Sequence, residues 1–500
     1  MPSKPNIVFM FPDQQRGDVV GYAGNSVAQT PNLDRLARES VTFSRCVTNS
    51  PICMPARMSL MTGQHPSRHG MWANNVSGDP VTPNHVRNIR NAGYHTAQVG
   101  KVHLHVRTPG DGHSRDFAHR MHEWGFEDTH ELRDIMAYAN AECYYTDFLH
   151  EQGRLDAFRA YMRLIVQGEN DGTLRPWETP PSVVGEDESL DMYTAMKAID
   201  WIENYQSAQP FYLQVMFPGP HNPFDSSATD RAAYNPEIMP SAITEDAEGP
   251  VSPQVTRSQN SGGLAAMTPS QDRLMRTFYY AKVTHIDRAI GLVVNALQKN
   301  GLLANTWIIY TSDHGEMLGD HRCRHKALFY EQALNVPLLI RPPGGVRGWS
   351  SRALTDHLDV METMTEIASA NSLDGGGERA SLVNKCLNDA NAAQAHLGVK
   401  EAVFSEVRLY SMVRNDRYKL NVDSLTREPL ELYDMHEDPQ ELANRVENPA
   451  YEYVRNELMK KHMNGLLDNL DHDKLTMYQK TLRADPNRGG WRVNQQATAL

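Results

Sequence analysis

The sequence predicts an α/β protein with a large, mostly parallel sheet between helices and a smaller C-terminal α+β subdomain containing a short antiparallel sheet. Short apolar runs rich in β-branched and aromatic residues alternate with helical patterns through most of the chain. Late in the chain, strand-like runs instead follow one another directly, as antiparallel strands do. The length of 500 residues also exceeds what one domain usually needs.

The first elements alternate strand and helix in order. Residues 6–11 (NIVFMF) form a strand-like run, and residues 30–40 a helix with Thr30 at the N-cap and Pro31 in the first turn. A helix that stops at Gly93 then leads into a strand near 95–99. Further on, a helix at 190–206 precedes the strand 210–217, and a long helix ending at Gly301 precedes the buried strand 306–313.

Two stretches interrupt this alternation. Residues 218–270 are rich in Pro, Ser, Asp and Gly, which predicts a long surface loop near a functional site. Residues 369–380 (SANSLDGGGERA) indicate a loop or boundary. We therefore expect a main domain at 1–380, the antiparallel sheet with a following helix at 381–475, and a polar tail at 476–500 that serves as an oligomerisation arm in a homo-oligomer.

Composition excludes some classes of partner. The formal charge of -12 argues against a nucleic-acid binder but leaves open a small anionic substrate, because local fields differ from the net charge. The longest apolar runs, TWIIY and VPLLI, are far too short to span a membrane. The opening residues lack a signal-peptide pattern, and the five scattered cysteines lack paired spacings. We therefore expect a cytoplasmic protein without structural disulfides.

Polar residues gather just past the carboxyl ends of the predicted strands, where open α/β sheets bind ligands. A single polar cluster would be unremarkable, whereas clusters at four equivalent ends predict an active site. In strand order, the residues are Asp13 and Gln14; Lys101, His103 and His105; His221; and Asp313, His314 and Lys326.

Two of these ends predict a metal site. Asp13 and Asp313, with the amide oxygen of Gln14 and the imidazole of His314, could hold one divalent cation. Their oxygens suit Ca²⁺, Mg²⁺ or Mn²⁺, and the histidine nitrogen shifts the preference toward Mn²⁺ or a similar ion. Each aspartate taken alone could equally be a turn or cap residue.

The stretch NSPICMPARMSLMTG, residues 49–63, raises the question of what Cys53 does. Pro55 sits where a helix would begin and Gly63 where it would stop, so Cys53 lies at a helix N-terminus that favours negative charge. Arg57, one turn on, could hold an oxyanion or stabilise the turn. Cys53 could also be a small buried thiol or a thiolate nucleophile.

At this point the motifs resemble those of the sulfatase family, which has an alkaline-phosphatase-like fold. The core Cys-x-Pro-x-Arg followed by Thr-Gly is weak alone, but it occurs in order with other family segments over most of the chain. These segments are PDQ near the start, TPNLDRLARESVTF, AGYHTAQVGKVH, PGPHNPF, TSDHGEMLGDH, HKALFYE and ELYDMHEDPQELANRV.

The resemblance implies a sulfuric ester hydrolase that acts through formylglycine, made from Cys53 by a formylglycine-generating enzyme, and one divalent metal ion, Ca²⁺ or Mn²⁺. One hydroxyl of the hydrated aldehyde attacks sulfur, and removal of a proton from the second hydroxyl releases sulfate. The residues at metal positions are Asp13, Gln14, Cys53, Asp313 and His314. At the catalytic positions, the resemblance implies that Cys53 provides the nucleophile and that Arg57, Lys101 and Lys326 surround the sulfate. It also implies that His221 and Lys326 assist the leaving alcohol and that His103 accepts the proton.

Two positions depart from many sulfatases, which carry a second aspartate at Gln14 and an asparagine at His314. The Gln and His pair resembles phosphonate monoester and phosphodiester hydrolases and the choline-sulfatase-like branch. The alternatives are therefore a phosphonate monoester or phosphodiester hydrolase and, from another class, a catalytically silent anion-binding protein with unmodified Cys53.

Other polar residues are candidates for substrate binding. Asn74 could add a polar contact to the anion, and His105 could meet the substrate. Arg107, Arg322 or Arg324 could bind a second anionic group such as a carboxylate by a two-pronged contact. Surface ion pairs or turn positions would account for the same residues equally well.

Overall fold

The computed structural model describes residues 4–484, except 108–110, 246, 262, 265, 374–378 and 388–399. Its strands are β1 Asn6–Met10, β2 Val41–Phe43, β3 Cys46–Val47, β4 His95–Gly100, β5 Asp128–Glu131, β6 Phe211–Met216, β7 Thr306–Thr311, β8 Asn335–Val336, β9 Leu338–Arg341, β10 Trp349–Ser351, β11 Thr355–Asp356, β12 Val403–Val407, β13 Tyr410–Arg414, β14 Tyr418–Asp423 and β15 Pro429–Asp434. Its α-helices are α1 Pro31–Ala37, α2 Cys53–Thr62, α3 Pro66–His69, α4 His85–Asn91, α5 Ala118–Trp124, α6 Tyr144–Glu151, α7 Leu155–Asp171, α8 Leu190–Asn204, α9 Ala228–Ala232, α10 Pro253–Ser261, α11 Pro269–Lys299, α12 Glu331–Leu334, α13 His357–Ile367, α14 Val383–Leu387, α15 Glu452–Leu458, α16 Asn464–Asp468 and α17 His472–Ala484.

Eight strands form one large sheet in the order β10–β2–β9–β7–β1–β6–β4–β5. Neighbouring strands pair in parallel, except that β9 runs antiparallel to both β2 and β7. The expected large, mostly parallel sheet is therefore confirmed. The sequence pattern did not predict the reversal of β9, because a buried strand reads as the same apolar run in either direction.

Helices cover both faces of this sheet. Ile7 and Phe9 of β1 belong to a core cluster that also contains Met58 of α2. Val8 lies in a second cluster together with Ile290 of α11, on the other face. Because β1 is buried on both faces along its whole length, its sequence is a continuous apolar run.

The C-terminal antiparallel sheet predicted from the sequence is also confirmed, with the order β12–β13–β14–β15. Its strands pair antiparallel in sequence order, as in a meander. The helix expected after it is divided by a π-helical turn at Met459–Met463. A third, three-stranded sheet has the order β11–β3–β8, and Val47 of β3 packs in one core cluster with Val403 of β12.

The irregular segments contain more structure than their composition indicated. The predicted surface loop at 218–270 includes α9 and α10. The polar tail begins within α17, whose Leu475 and Tyr478 cluster with Trp72 of the same chain. Residues 485–500 of the expected arm, and 374–378 of the expected boundary, lie outside the described residues. Among the described residues, no helix is both long enough and apolar enough to cross a bilayer.

Candidate active site

The candidate site lies at the carboxyl ends of five neighbouring strands of the large sheet. Asp13 follows β1, Lys101 follows β4, Asp134 follows β5, His221 follows β6 and Asp313 follows β7. These strands are adjacent in the order β7–β1–β6–β4–β5. Since all five run in the same direction, the sheet brings their polar ends to one edge.

Asp13, Cys53, Asp313 and His314 form a compact group of candidate metal ligands. One ligand atom of each lies within 4.8 Å of the others, and all four residues are buried. Cys53 Sγ is 3.2 Å from His314 Nε2 and 3.6 Å from Asp13 Oδ1. Two buried carboxylates this close repel each other, and a divalent cation would offset the repulsion. The donor set therefore fits the metal expected here.

Arg57 and the backbone orient these ligands. Arg57 Nε donates to Asp313 Oδ2 at 2.9 Å, and one of its terminal nitrogens donates to Asp13 Oδ2 at 3.0 Å. His314 Nδ1 lies 2.9 Å from the carbonyl oxygen of Gly315, which can only accept, so Nδ1 carries the proton. Nε2 therefore faces the Cys53 side, where its lone pair would bind a metal ion once this nitrogen has lost its proton.

Gln14 reaches the group through an unusual backbone conformation, with a φ of 70°. Lys326 Nζ donates to Gln14 Oε1 at 2.6 Å and to Cys53 Sγ at 3.1 Å. The Gln14 amide nitrogen donates to the buried carboxylate of Glu316, which also accepts from the backbone N–H of His325. Glu316 therefore determines which end of the Gln14 amide faces Lys326 and Cys53.

Helix α2 begins at Cys53 itself, two residues before the start suggested by Pro55. Proline is tolerated in a first turn, where backbone N–H groups have no partner within the helix. Asn74 Oδ1 accepts the N–H of Met54 at 3.0 Å, which satisfies one of these groups. The helix ends at Gly63, whose φ of 65° suits glycine, as predicted.

Cys53 differs from the other cysteines in its electrostatic surroundings. Burial and the charge of Asp13 oppose ionisation of its thiol, but Lys326, Lys101 and His314 hold its pKa well below the usual value. Burial raises the pKa of the remaining four, which are Cys46, Cys143, Cys323 and Cys386. The site thus stabilises negative charge at position 53 alone among the cysteines.

Lys101 joins the carboxylates of two strand ends. Its Nζ lies 2.6 Å from Asp13 Oδ2 and also contacts Asp134 Oδ2. Burial opposes ionisation of Asp13, but Lys101, His221 and Lys326 keep its pKa well below the usual range. Lys101 is fully buried, so both contacts are shielded from solvent.

The two histidines expected to transfer protons, His103 and His221, lie on the same side of the site as Lys101 and Asp134. His103 has a φ of 56°, and its Nδ1 is 3.9 Å from Asp134 Oδ2. His221 is buried, and its Nδ1 donates to the carbonyl oxygen of Asn222 at 2.6 Å. This bond leaves Nε2 of His221 as the ring nitrogen that can exchange a proton with a ligand.

Several residues considered for substrate binding have structural partners instead. His105 Nε2 accepts from the Trp124 indole at 3.0 Å. Arg107 pairs with Asp111 at 3.0 Å and stacks on Phe117 at 3.5 Å. Exposed Arg322 donates to the carbonyl of Thr244, and buried Arg324 pairs with Glu169 at 2.9 Å. These contacts favour the ion-pair and turn interpretations for these four residues.

Sequence reasoning missed Asp134 and Glu316. Asp134 follows β5, a polar strand whose sequence lacks an apolar run, so no strand end was visible there. Glu316 stands in the SDHGE motif, two residues after His314, and this proximity was the available signal. The sequence positions of Asp134 and Glu316 do not show that their carboxylates turn toward the site.

The comparisons with known proteins agree with this geometry. A family model described as Sulfatase matches residues 5–370, and one described as N-sulphoglucosamine sulphohydrolase, C-terminal, matches residues 319–468. An arylsulfatase of Clostridium perfringens is 27% identical over 92% of this chain and 94% of its own length. A choline-sulfatase of Rhizobium meliloti is 28% identical over 89% and 83%, respectively. The crystal structure of a phosphonate monoester hydrolase of Agrobacterium radiobacter superposes with a TM-score of 0.73 at 23% identity, covering 93% of this chain and 96% of that one.

The family model spans well over half of the chain and includes every strand end that contributes to the site. Relatives that carry sulfatase names match over nearly the whole chain. The fold shared with the solved hydrolase is the alkaline-phosphatase-like α/β fold expected from the motifs. The chain therefore belongs to the sulfatase family of sulfuric ester hydrolases.

Proposed function

We propose that the protein hydrolyses sulfate monoesters of an aryl or sugar alcohol by means of a formylglycine derived from Cys53. The observation that carries this proposal is the position of Cys53 at the start of α2, in contact with His314 and Lys326. A thiol kept only for packing would not need a surrounding that stabilises negative charge. The same surrounding suits an oxygen nucleophile at this position.

One divalent cation, Ca²⁺ or Mn²⁺, would be held by Asp13, Gln14, Asp313, His314 and the modified Cys53. Such a cation would supply positive charge beside the nucleophile and the sulfate oxygens. Formylglycine, formed by a formylglycine-generating enzyme, would supply the attacking hydroxyl from its hydrate. Both groups fit the buried donor set described above.

The remaining residues would bind the anion and move protons. Lys326 contacts Cys53 and Lys101 contacts Asp13, so both would stabilise the sulfate oxygens. Arg57 would support them through its contacts with both carboxylates. His221, together with Lys326, would protonate the leaving alcohol. His103 would take the proton whose removal releases sulfate.

Mass spectrometry of the Cys53 peptide, combined with turnover of para-nitrophenyl sulfate, tests the proposal. We expect the mass of the aldehyde in place of the thiol, and sulfate release that depends on it. Cys53→Ala should lose nearly all turnover while retaining the fold, and Cys46→Ala, at another buried cysteine, is the matched control. Turnover by Cys53→Ala at the wild-type rate would refute the mechanism.

A phosphonate monoester hydrolase is the second candidate. Gln14 and His314 at the metal site match the pattern noted for that branch, and sulfate and phosphonate esters present similar tetrahedral anions. The ratio of kcat/KM for a phenyl phosphonate monoester to that for para-nitrophenyl sulfate separates the two. A ratio above one favours this second candidate. An unmodified Cys53 with tight sulfate binding and no turnover would instead favour the silent anion-binding protein.

The remaining expectations stay predictions. They are the division at 1–380, 381–475 and 476–500, the homo-oligomer, the cytoplasmic location, and the lack of nucleic-acid and membrane partners. Asn74 borders the site through its contact with Met54, so a polar contact from its amide to the substrate also stays a prediction.

A further inference from the structure

A glutamate occupies the buried face of helix α7, in the helical segment between β5 and β6. The apolar residues buried by this helix recur at helical spacing and include Phe158, Tyr161, Met162 and Ile165. Glu169 lies one helical turn beyond Ile165 on the same face, and its side chain is only 9% exposed. A carboxylate at such a position is costly unless partners compensate its charge. The partners of Glu169 show how this cost is offset.

Glu169 contacts two segments that carry candidate catalytic residues. Arg324 donates to Glu169 Oε1 at 2.9 Å, and the Arg324 side chain is 8% exposed. The amide nitrogen of buried Asn222 donates to Glu169 Oε2 at the longer distance of 3.5 Å. Arg324 precedes Lys326 by two residues, and Asn222 directly follows His221. One carboxylate thus joins the segments of the two residues proposed to act at the leaving alcohol.

Asn222 determines how the His221 ring is oriented. Nδ1 of His221 donates to the carbonyl oxygen of Asn222 at 2.6 Å, so the ring follows the backbone of Asn222. Helix α11 holds this backbone from one side, where Lys282 donates to the carbonyl of Pro223 at 3.2 Å. Glu169 holds the Asn222 side chain. A change at Glu169 would therefore be transmitted to the His221 ring.

The backbone on either side of Lys326 adopts a conformation that needs support. His325 and Ala327 both have a φ of 68°, in the left-handed region that non-glycine residues rarely occupy. Such a conformation persists only where the surrounding structure imposes it. The ion pair between Arg324 and Glu169 is one of the contacts that hold this segment. A shift of this backbone would also move Lys326 Nζ, which lies at the candidate nucleophile.

His221 and Lys326 have to act on the same atom of the substrate. As the S–O bond of the ester breaks, its electron pair goes to the oxygen of the alcohol, which takes up a proton supplied by His221 together with Lys326. We propose that Glu169 is a positioning residue that sets the distance between His221 and Lys326 for this proton transfer. It acts through Arg324 and Asn222. This inference rests on the proposed sulfatase activity.

The kinetics of Glu169→Gln on aryl sulfates with different leaving groups test this role. The substrates are the sulfates of para-nitrophenol, para-chlorophenol, phenol and para-methoxyphenol, which are similar in size and release increasingly basic phenolates. The para-nitrophenolate ion leaves without a proton, whereas the more basic phenolates need one. The ratio of kcat/KM for para-methoxyphenyl sulfate to that for para-nitrophenyl sulfate should therefore fall by about 10- to 100-fold. This ratio does not depend on the fraction of folded enzyme, and kcat/KM excludes the later release of sulfate.

Glu203→Gln, at an exposed glutamate of α8, is the matched control and should keep the wild-type ratio. The double variant Glu169→Leu/Arg324→Met replaces the ion pair by apolar side chains, so it leaves no buried charge without a partner. It should show the same fall in the ratio, and it decides the question should Glu169→Gln not fold, as checked by thermal melting.

A wild-type ratio in either Glu169 variant would mean that the ion pair only neutralises a buried charge, and it would overturn the positioning role alone. An equal fall in Glu203→Gln would overturn it as well. A wild-type enzyme inactive on all four sulfates would overturn the proposed function together with this inference.

Discussion

Individual carboxylates hold the cationic side chains of this site in place. Arg57 bridges Asp13 and Asp313, and Lys101 bridges Asp13 and Asp134, so the cations and carboxylates form one connected network. All of these side chains except Asp134 are almost fully buried. Electrostatic interactions in such surroundings are strong, and removal of one partner leaves a charge that the others cannot compensate.

Asp134 is the member of this network that we expect to position the others. In Asp134→Asn, Oδ1 can still cap the turn that starts at Ile135, but Lys101 loses a carboxylate partner. Lys101 would then shift toward Asp13, so kcat for aryl sulfate hydrolysis should fall by about 10- to 100-fold. Steady-state kinetics across pH measure this loss.

Asp134→Glu is the conservative comparison, and it should recover part of the activity because it restores the charge. The exposed Asp473→Asn serves as the control for a general effect of charge. Wild-type kcat in Asp134→Asn would refute the positioning role. The same loss in both Asp134 variants would mean that the size of the side chain matters and its charge does not.

At the scale of elements, helix α11 supports the loop after β1. Tyr279 on this helix donates to the carbonyl of Gln14 at 2.7 Å and accepts the N–H of Arg16 at 2.9 Å. Two bonds from one hydroxyl thus hold the backbone of Gln14 in its left-handed conformation. The helix was predicted from periodicity, whereas this contact depends on how it packs against the sheet.

Tyr279→Phe removes both bonds and leaves the ring in place. We expect the free energy of unfolding to fall by about 1 to 3 kcal/mol, because two buried backbone groups lose their partner. The matched control is Tyr280→Phe, the neighbouring residue, whose hydroxyl contacts Asn25. Urea denaturation compares stability, and kcat for para-nitrophenyl sulfate should fall more in Tyr279→Phe. Equal kcat in the two variants would contradict the support of Gln14.

A buried carboxyl connects the C-terminal sheet to the segment after α2. Glu406 of β12 accepts from the N–H of Ser67 at 2.8 Å and from the Ser411 hydroxyl at 3.2 Å. Burial raises the pKa of Glu406 to about 7, although both hydrogen bonds lower it. The folded protein therefore holds this proton more tightly than the unfolded chain, and the stability it contributes is complete below about pH 4.5 and lost as pH rises through about 7.

Glu406→Gln mimics the protonated acid, since its amide can accept from Ser67 and donate to Ser411. We expect the variant to be more stable than wild type by roughly 3 kcal/mol near pH 8, and this advantage to vanish near pH 4.5. Urea denaturation at several pH values measures it. The exposed Glu457→Gln is the control. An advantage that does not change with pH would refute the buried proton.

For the whole molecule, motif order made the fold and most of the site predictable. The positions of strand-end residues such as Asp13 and Asp313 follow from local sequence, because a parallel sheet places the carboxyl ends of its strands at one edge. The direction of β9 and the partners of Arg107 and Arg324 depend on long-range packing, which spacing does not encode.

Binding of the proposed metal should stabilise the whole protein, since its ligands join the ends of β1 and β7 with the start of α2. After chelator treatment, added Ca²⁺ or Mn²⁺ at about 100 times its Kd should raise the melting temperature by about 2 to 3 °C. Asp313→Asn should abolish this shift because it removes one ligand charge, whereas Asp473→Asn, at an exposed position, should preserve it. Differential scanning fluorimetry measures the shift and calorimetric titration the number of ions bound. An equal shift in both variants would place the ion elsewhere and refute the ligand set.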